Sequence, residues 1–510
     1  MKPVLTPQQA VELDRATQAA GVDADTLMER AGRGVARAVL DLLGGAYGRR
    51  VVVVCGKGNN GGDGYVAARI LARAGMHVTV HAVEPVGELR EPAGANARRL
   101  ASQTDVSVRP FSAARLSADL GHADVAIDAV FGTGFRGQPE DEWADAIDEL
   151  NRSDVPVVAV DIPSGVEGET GAVHGTAVVA DLTVTFGAAK VGAVLLPGAE
   201  LAGDVRVVDI GFPERLVEAR AWLTEPSDVA AVWPSRAADS HKRASGVLVV
   251  VAGSRGMTGA PALIAEAAGR TGTGLLIVAA PASALDGVRA TMTEAVTVPL
   301  DETDDGVVDE AAVPTILDAL ERADALAIGP GLTTAAAAAV RAVIRESPVP
   351  VVVDADGLNA FTGDAAALAD RRSEAVLTPH LGEFGRLTGS KASDVDADRL
   401  GHVRRLASTS RAVALLKGTR TVVAEPSGDV RVNPTGSRVL ATAGSGDVLT
   451  GVIGGLLARG VPAYEAAASA AYVHGVAGTL AGRTTGEGTL ARDVIAALPD
   501  AIARTTGGER

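Results

Sequence analysis

Short apolar runs alternate with Ala-rich stretches along the whole chain. Arg50 to Cys55, His77 to Val83, Asp124 to Val130, Val155 to Asp161 and Asp181 to Phe186 are near-continuously apolar. They read as parallel strands covered on both faces. Tyr65 to Ala74 and Asp141 to Asn151 read as helices between them. This alternation predicts an open α/β sheet. The pattern lapses over Gly211 to Ser245, which holds Pro213, Pro226, Pro234, Trp222, Trp233 and the polar cluster ADSHKRAS. A second α/β series starts at Gly246 with GVLVVVAGS, followed by strands in LLIVAA, ALAIGPG, VPVVVDADG, AVLTPH and AVALLKG. TTAAAAAVRAVIRES reads as one of its helices, and TVVAEPSGDVRVN as a hairpin about a polar turn. The junction falls near Phe212 to Ser227, giving domains 1–222 and 223–510. The halves share no repeat, so the fold class is α/β with two different doubly wound domains.

Composition narrows the picture further. At 510 residues the chain is too long for one ordinary domain. Its 47% hydrophobic and 22% charged residues are normal for a globular protein. A net charge of -16 argues against a general nucleic-acid grip, which needs a basic face. A lone cysteine, Cys55, excludes an internal disulfide and fits a reducing compartment. It closes the run VVVVC and reads as a buried packing residue before it reads as a thiol nucleophile. No stretch has the apolar core of a signal peptide or the length of a membrane helix. The expected location is the cytoplasm, with no membrane and no nucleic-acid partner.

Candidate chemistry gathers just after the predicted strands, where ligands bind in open α/β sheets. In NPTGSRVLATAGSGD the residues Gly444, Ser445 and Gly446 lead into Asp447 where a helix should start. A helix N-terminus offers unpaired N–H groups and a positive dipole end, so it holds an anion. A carboxylate among those donors cannot bind phosphate itself. It is placed to take a proton from a hydroxyl that attacks phosphorus. The competing reading is a Gly-rich turn with an acid in the helix's first turn. Further glycine loops follow strands in AGSRGMTGAP and GPGL. Lys417 and Thr419 stand at a strand end where a nucleotide could lie. His380 reads equally as a ligand donor or a strand-end residue, and Glu383 as an outward acid. Asp354 and Asp356 read as a polar strand end, with a metal role as the alternative.

In the first half, GKGNNGGDG (Gly56 to Gly64) joins a strand to a helix. Its glycines permit positive φ and close approach of the backbone to a ligand. The spacing is neither GxGxxG nor GxxxxGK[ST], yet a polyphosphate or dinucleotide is the natural ligand of such a loop. Asp128 ends a strand before GTGFRG, where Arg136 could meet a phosphate. Asp161 ends another before Ser164. Asn60, Asp63, Asp128, Asp161 and Ser164 make an oxygen-rich set that suits a hard cation rather than zinc. Each acid alone reads as a strand-end cap. Asp161 is the best placed for proton transfer.

NNGGDG, GTGFRG and DIPSG in that order, followed by GPGL, HLGEF and GSGD, resemble the bifunctional NAD(P)H-hydrate repair enzymes over nearly the whole chain. The resemblance implies an N-terminal Rossmann-like three-layer sandwich of the YjeF type, an epimerase of R and S hydrates of NADH and NADPH. It implies a C-terminal ribokinase-like dehydratase that restores the reduced cofactor from the S form with ADP, giving AMP and phosphate. Carried onto this sequence, Asn59, Asn60, Gly61, Gly62 and Asp63 would bind the hydrate. So would Gly132, Thr133, Gly134, Phe135, Arg136, Gly137, Gln138 and Asp161. Asn60, Asp128 and Ser164 match the positions that hold a potassium ion. Ala260, Gly331, His380 and Asp447 match hydrate contacts of the second domain. Lys417, Gly418, Thr419, Arg420, Thr421 and Gly446 match the adenine-nucleotide site, with the Gly444–Gly446 amides facing the transferring phosphoryl group. Asp447 and Asp161 would be the catalytic acids, and magnesium would arrive with the nucleotide. A homo-oligomer is expected. Lys57 departs from the family pattern, which has proline there. Two other readings stay open: a ribokinase-like small-molecule kinase with an accessory dinucleotide-binding domain, and a first half that senses or scaffolds without catalysis.

Overall fold

The computed structural model describes residues 1–102, 106–235 and 243–507. Most of the polar cluster 238–245 lies outside the described residues. The chain divides into two compact units, Lys2–Arg220 and Ala221–Arg510 together with Met1.

In the first unit, the helix α1 (Ala24–Leu43) is capped by Asp23, whose side chain accepts from Thr26 N, and ends at Gly44 with φ +70°. The sheet that follows comprises β1 (Arg50–Cys55), β2 (His77–Ala82), β3 (Val106–Pro110), β4 (Val125–Ala129), β5 (Val157–Val160), β6 (Leu182–Phe186) and β7 (Asp204–Val208). Its order is β3-β2-β1-β4-β5-β6-β7, parallel throughout. Valines at alternate positions feed two cores. Val51, Val53 and Cys55 pack with Leu27, Ala31, Val35 and Val39 of α1, while Val52 and Val54 pack with Leu116, Ile147 and Leu150. Burial on both faces explains the unbroken apolar runs. Chain order reverses between β1 and β4, so the loops leaving these two strands flank a crevice at their carboxyl ends. The helix after β1, α2 (Asn59–Arg73), starts earlier than the predicted Tyr65.

In the second unit the strands are β8 (Ala221–Leu223), β9 (Val247–Val251), β10 (Leu275–Pro281), β11 (Val296–Leu300), β12 (Ala325–Ile328), β13 (Val351–Val353), β14 (Ala375–Leu377), β15 (Val413–Leu416), β16 (Val422–Ala424) and β17 (Val430–Val432). Their order is β11-β10-β9-β12-β13-β14-β15-β16-β17-β8. Pairing is parallel as far as β15, and β15-β16-β17 run antiparallel. The expected hairpin is β16-β17, closed by Glu425 N donating to Asp429 O. Three helices carry the main core with the sheet: Gly259–Arg270, Ser445–Ala458 and Ala463–Thr485. The Ser445–Ala458 helix is apolar around its circumference because it is buried on all sides. The chain-order switch lies between β9 and β12. Among the described residues no helix is long and apolar enough to cross a membrane.

Candidate active sites

The loop after β1 departs from the expectation in its backbone. Asn59, Asn60, Gly61, Gly62 and Asp63 form the first turns of α2, and none of the glycines from Gly56 to Gly64 has a positive φ. Several of them allow close contact within the protein. A Cβ on Gly61 would stand 2.0 Å from Gly56 O, one on Gly56 2.1 Å from Val130 O, and one on Gly64 2.6 Å from Ala129 Cβ. Glycine here seats the helix against the ends of β1 and β4. Gly58 caps α2 with no side-chain hydrogen bond, so the first N–H groups of the helix lack a side-chain cap. Lys57 lies outside this contact, its Nζ 5.7 Å from the ring centre of Trp143.

That seating places Asn60 against the loop after β4. Asn60 Nδ2 donates to Phe131 O at 2.8 Å, and Phe131 N donates to Ser164 Oγ at 2.8 Å. Ser164 Oγ donates to Asp128 Oδ1 at 2.6 Å, and Ser164 N to Asp128 Oδ2 at 2.8 Å. Asp128 is fully buried, and burial pushes its carboxyl up to about 6 against these hydrogen bonds. Asn60 Oδ1 is buried and, among the described residues, accepts from no protein donor. Asn60, Asp128 and Ser164 thus converge with a backbone carbonyl on one knot that holds an orphaned acceptor.

Asp161 belongs to a neighbouring cluster. It sits past the end of β5 with φ +66°, a left-handed conformation costly for a non-glycine residue. Its Oδ2 accepts from Thr133 N at 3.3 Å and its Oδ1 from Thr185 Oγ1 at 3.0 Å. Lys190 Nζ stands 3.1 Å from Oδ1. The same ammonium donates to Thr185 Oγ1, Phe186 O and Ala188 O, each at 3.0 Å. Sequence reasoning missed Lys190. The available signal is a single cation inside the apolar stretch TFGAAKVGAVLLPG, since a lysine buried there needs a carboxylate partner. Thr133 Oγ1 is buried without a partner. Gly134, Arg136, Gly137 and Gln138 face solvent beside it, and Phe135 stacks on Phe131 at 4.5 Å. Gly132 lies against the Asn60 carboxamide, with its Cβ position 3.3 Å away. Cys55 is buried and its thiol is pushed up by burial, so it is inert packing.

In the second unit the carboxyl ends of β13 and β15, through Asp354 and Lys417, meet one helix N-terminus. Gly444 caps the Ser445–Ala458 helix with φ +82° and no side-chain hydrogen bond. Asp447 lies in its first turn. Burial and the charge of Asp354, opposed by Lys417, push the Asp447 carboxyl up to about 7. Lys417, at the end of β15, donates to Asp354 Oδ1 at 2.6 Å and lies 3.7 Å from Glu383 Oε2. Burial lowers the Lys417 ammonium, but Asp354, Glu383 and Asp447 together raise it above its ordinary value. Thr450 Oγ1 donates to Asp354 Oδ2 at 2.8 Å. A Cβ on Gly446 would stand 3.4 Å from Lys417 Nζ, which puts the ammonium against the helix end.

One expectation needs correction here. Glu383 is not an outward acid. It is buried, closes a capping box by accepting from His380 N at 2.9 Å, and faces Lys417. Asp354 stands at the end of β13, and both of its oxygens are engaged by Lys417 and Thr450. Asp356 accepts instead from Thr333 N and Asn359 Nδ2. Ala355 between the two acids has φ +49°, a strained turn that aims them apart.

His380 is exposed, and its Nδ1 accepts from Gly382 N at 3.0 Å. Gly331 (φ +73°) touches Gly253, so the loops after β9 and β12 pack on each other. Ala260 lies in the first turn of the Gly259–Arg270 helix, whose Leu263 packs under Gly444. The strand-linking turn Lys417, Gly418, Thr419, Arg420, Thr421 is tightened by Thr421 Oγ1 donating to Gly418 O at 2.9 Å. Ser445 is buried against His474 Nε2 at 3.2 Å, and burial pulls His474 down to about 4. Thr450 and His474 had no signal in the sequence. Among the described residues no three His, Cys, Asp or Glu side chains form a metal cage.

Residues 248–500 match the family model described as NAD(P)H-hydrate dehydratase, and residues 24–192 the one described as YjeF-related protein N-terminus. The bifunctional NAD(P)H-hydrate repair enzyme Nnr of Moorella thermoacetica is 39% identical over 97% of this chain and 96% of its own length. The Nnr enzyme of Salinibacter ruber is 38% identical over 100% of this chain and 97% of its own. That of Thermofilum pendens is 39% identical over 93% and 91%.

Proposed function

This chain belongs to the bifunctional NAD(P)H-hydrate repair enzymes, and from that premise we propose how its two units divide the work. The first epimerises the R and S hydrates of NADH and NADPH. The second dehydrates the S form at the expense of ADP, releasing AMP and phosphate. The observation that carries the second reading is Asp447, a carboxyl raised to about 7 at an uncapped helix N-terminus. A base near the working pH takes a proton efficiently without being wasted as a permanent anion.

Hydroxide leaves a ring carbon poorly, whereas phosphate leaves well. Asp447 accepts the proton of the substrate's ring hydroxyl while that oxygen attacks the terminal phosphorus of ADP, and AMP departs. Loss of a proton from the adjacent carbon and of phosphate from the hydroxyl-bearing carbon then rebuilds the ring double bond. The Gly444, Ser445 and Gly446 amides stabilise charge on the transferring group. Ala260, Gly331 and His380 border the hydrate. Lys417, Gly418, Thr419, Arg420, Thr421 and Gly446 border the nucleotide. With Asp354 engaged by Lys417 and Thr450, magnesium would arrive with the nucleotide and would supply charge neutralisation of its phosphates.

In the first unit Asn59, Asn60, Gly61, Gly62, Asp63, Gly132, Thr133, Gly134, Phe135, Arg136, Gly137 and Gln138 line the hydrate site, with Asp161 as the proton carrier. The orphaned Asn60 Oδ1, with the Phe131 carbonyl, Asp128 and Ser164, fits a potassium ion. Such an ion would neutralise the buried Asp128 and would steady the Phe131 carbonyl that Asn60 holds. The working protein is cytoplasmic and a homo-oligomer.

The test is to supply mixed R and S hydrate with ADP or ATP and follow the near-ultraviolet absorbance of the reduced nicotinamide. Complete conversion is expected. Arrest at the S fraction would remove the epimerase assignment. A stable phosphorylated alcohol with no NADH would favour the small-molecule kinase.

A further inference from the structure

We propose that the two acids of the first unit do opposite jobs: Asp161 is the base, and Asp63 is a neutral carboxylic acid that donates a proton to the ring nitrogen. The inference rests on the epimerase reading above. It begins with a contrast in partners. Asp161 and Asp63 are about equally buried, at 9% and 8% exposed. Asp161 receives the Thr133 N–H, the Thr185 hydroxyl and the Lys190 ammonium. The three N–H groups of that ammonium are used on Thr185 and two carbonyls, with its charge 3.1 Å from Asp161 Oδ1. Lys190 is therefore a positioning residue and counter-charge, not a proton source. For Asp63, among the described residues, no protein donor reaches the carboxyl. A carboxyl in a buried position that the protein supplies with no donor favours its neutral form. The charged groups that face it are Asp161 and Asp14, both acids, and with burial they push its carboxyl well up. Two acids held apart in this way mark an acid and a base.

The chemistry needs such a pair. Hydration of an enamine places the hydroxyl on the carbon next to the ring nitrogen, so that carbon is a hemiaminal. Asp161 removes the hydroxyl proton, the carbon–nitrogen bond breaks, and the carbonyl of an aldehyde forms. The bond's electron pair passes to nitrogen, which takes the proton of Asp63. Rotation about the adjacent carbon–carbon bond presents the other face of the aldehyde. Nitrogen then attacks that face, its proton returns to Asp63, and the oxygen recovers the proton from Asp161. Nothing is oxidised or reduced, and both acids end as they began.

The test uses the full chain with purified R hydrate and no nucleotide, so that dehydration is silent, and separates R from S by chromatography across pH. Asp63→Asn is expected to lower kcat by about 100-fold or more, with KM within a few-fold, and to remove the alkaline limb of the wild-type pH profile. A merely structural role would lower the rate without removing that limb. Independently of folding or turnover in the variant, the infrared spectrum of wild type minus D63N at neutral pH should contain the carbonyl stretch of a protonated acid. D63N epimerising at the wild-type rate, or a difference spectrum with no such band, overturns the proposal. A wild type that forms no S hydrate overturns the epimerase reading instead.

Discussion

Asp447→Asn should make the second unit more stable while abolishing dehydration. The Asp447 carboxyl is raised from 3.8 to about 7 in the folded chain. Between those values the native state holds a proton that the unfolded state has released. This group's contribution to stability is therefore greatest below the unfolded value, falls as pH rises toward 7, and is constant above. A shift of about three units corresponds to about 4 kcal/mol at most, and partial solvation of the carboxyl reduces it to about 2–4 kcal/mol. A carboxylate at a helix N-terminus gains only about 0.3–1 kcal/mol from the dipole, so the sign of the change is decided. Asparagine removes the penalty. In calorimetry near pH 8 the transition of the second unit should rise by roughly 4–10 °C, and the gain should shrink toward zero near pH 4. Dehydration should fall by about 100-fold or more. A D447N chain no more stable than wild type near pH 8, or one whose gain persists at pH 4, would refute the electrostatic account of this base.

Lys417→Met leaves Asp354, 2% exposed, without its counter-charge. The second unit should lose about 3–5 kcal/mol in urea titration, and an unchanged midpoint would show that the pair is not what holds Asp354. Gly61→Ala puts a methyl 2.0 Å from Gly56 O. It should lower the first unit's melting transition by an overpacking penalty of about 1–3 kcal/mol or more, and leave the second transition alone. Asp128 is raised to about 6, so its contribution to the first unit's stability declines as pH climbs from 3.8 to that value. Potassium favours the ionised form. At matched ionic strength, replacing a bulky organic cation by potassium should raise the first unit's melting temperature near pH 8 and have little effect near pH 4. Ser164→Ala should remove that response, and a response preserved in S164A would place the ion elsewhere.

Local chemistry was legible in the chain. The strands Arg50 to Cys55 and Asp181 to Phe186 appear where apolar-rich runs placed them, within a residue, because a strand buried on both faces is mostly apolar and the polar groups it does carry, such as Thr183 and Thr185, are hydrogen-bonded. The polar turn of the β16-β17 hairpin and the helix after GSGD were equally readable, since turn and cap preferences act over a few residues. Asn60 and Asp447 lie in a helix's first turns, Asp161 and Ser164 lie beyond the end of β5, and Asp128 is the penultimate residue of β4. What no local pattern contains is the partner of a charge. Thr450 meets Asp354 across 96 residues of sequence, and His474 meets Ser445 across 29. Lys190 reaches back from one loop to Asp161 in another. Glu383 looked exposed because an acid in a first helical turn is usually solvated, and only the sheet order brings Lys417 over it. The glycines from Gly56 to Gly64 looked like a ligand cradle, yet the close approach they allow is of the chain to itself. Residue types and their spacing therefore determined the layers and which polar side chains lie near strand and helix ends. The three-dimensional packing alone decided which of those carboxyls keeps a proton, because burial and counter-charge depend on neighbours that the chain brings together only by folding.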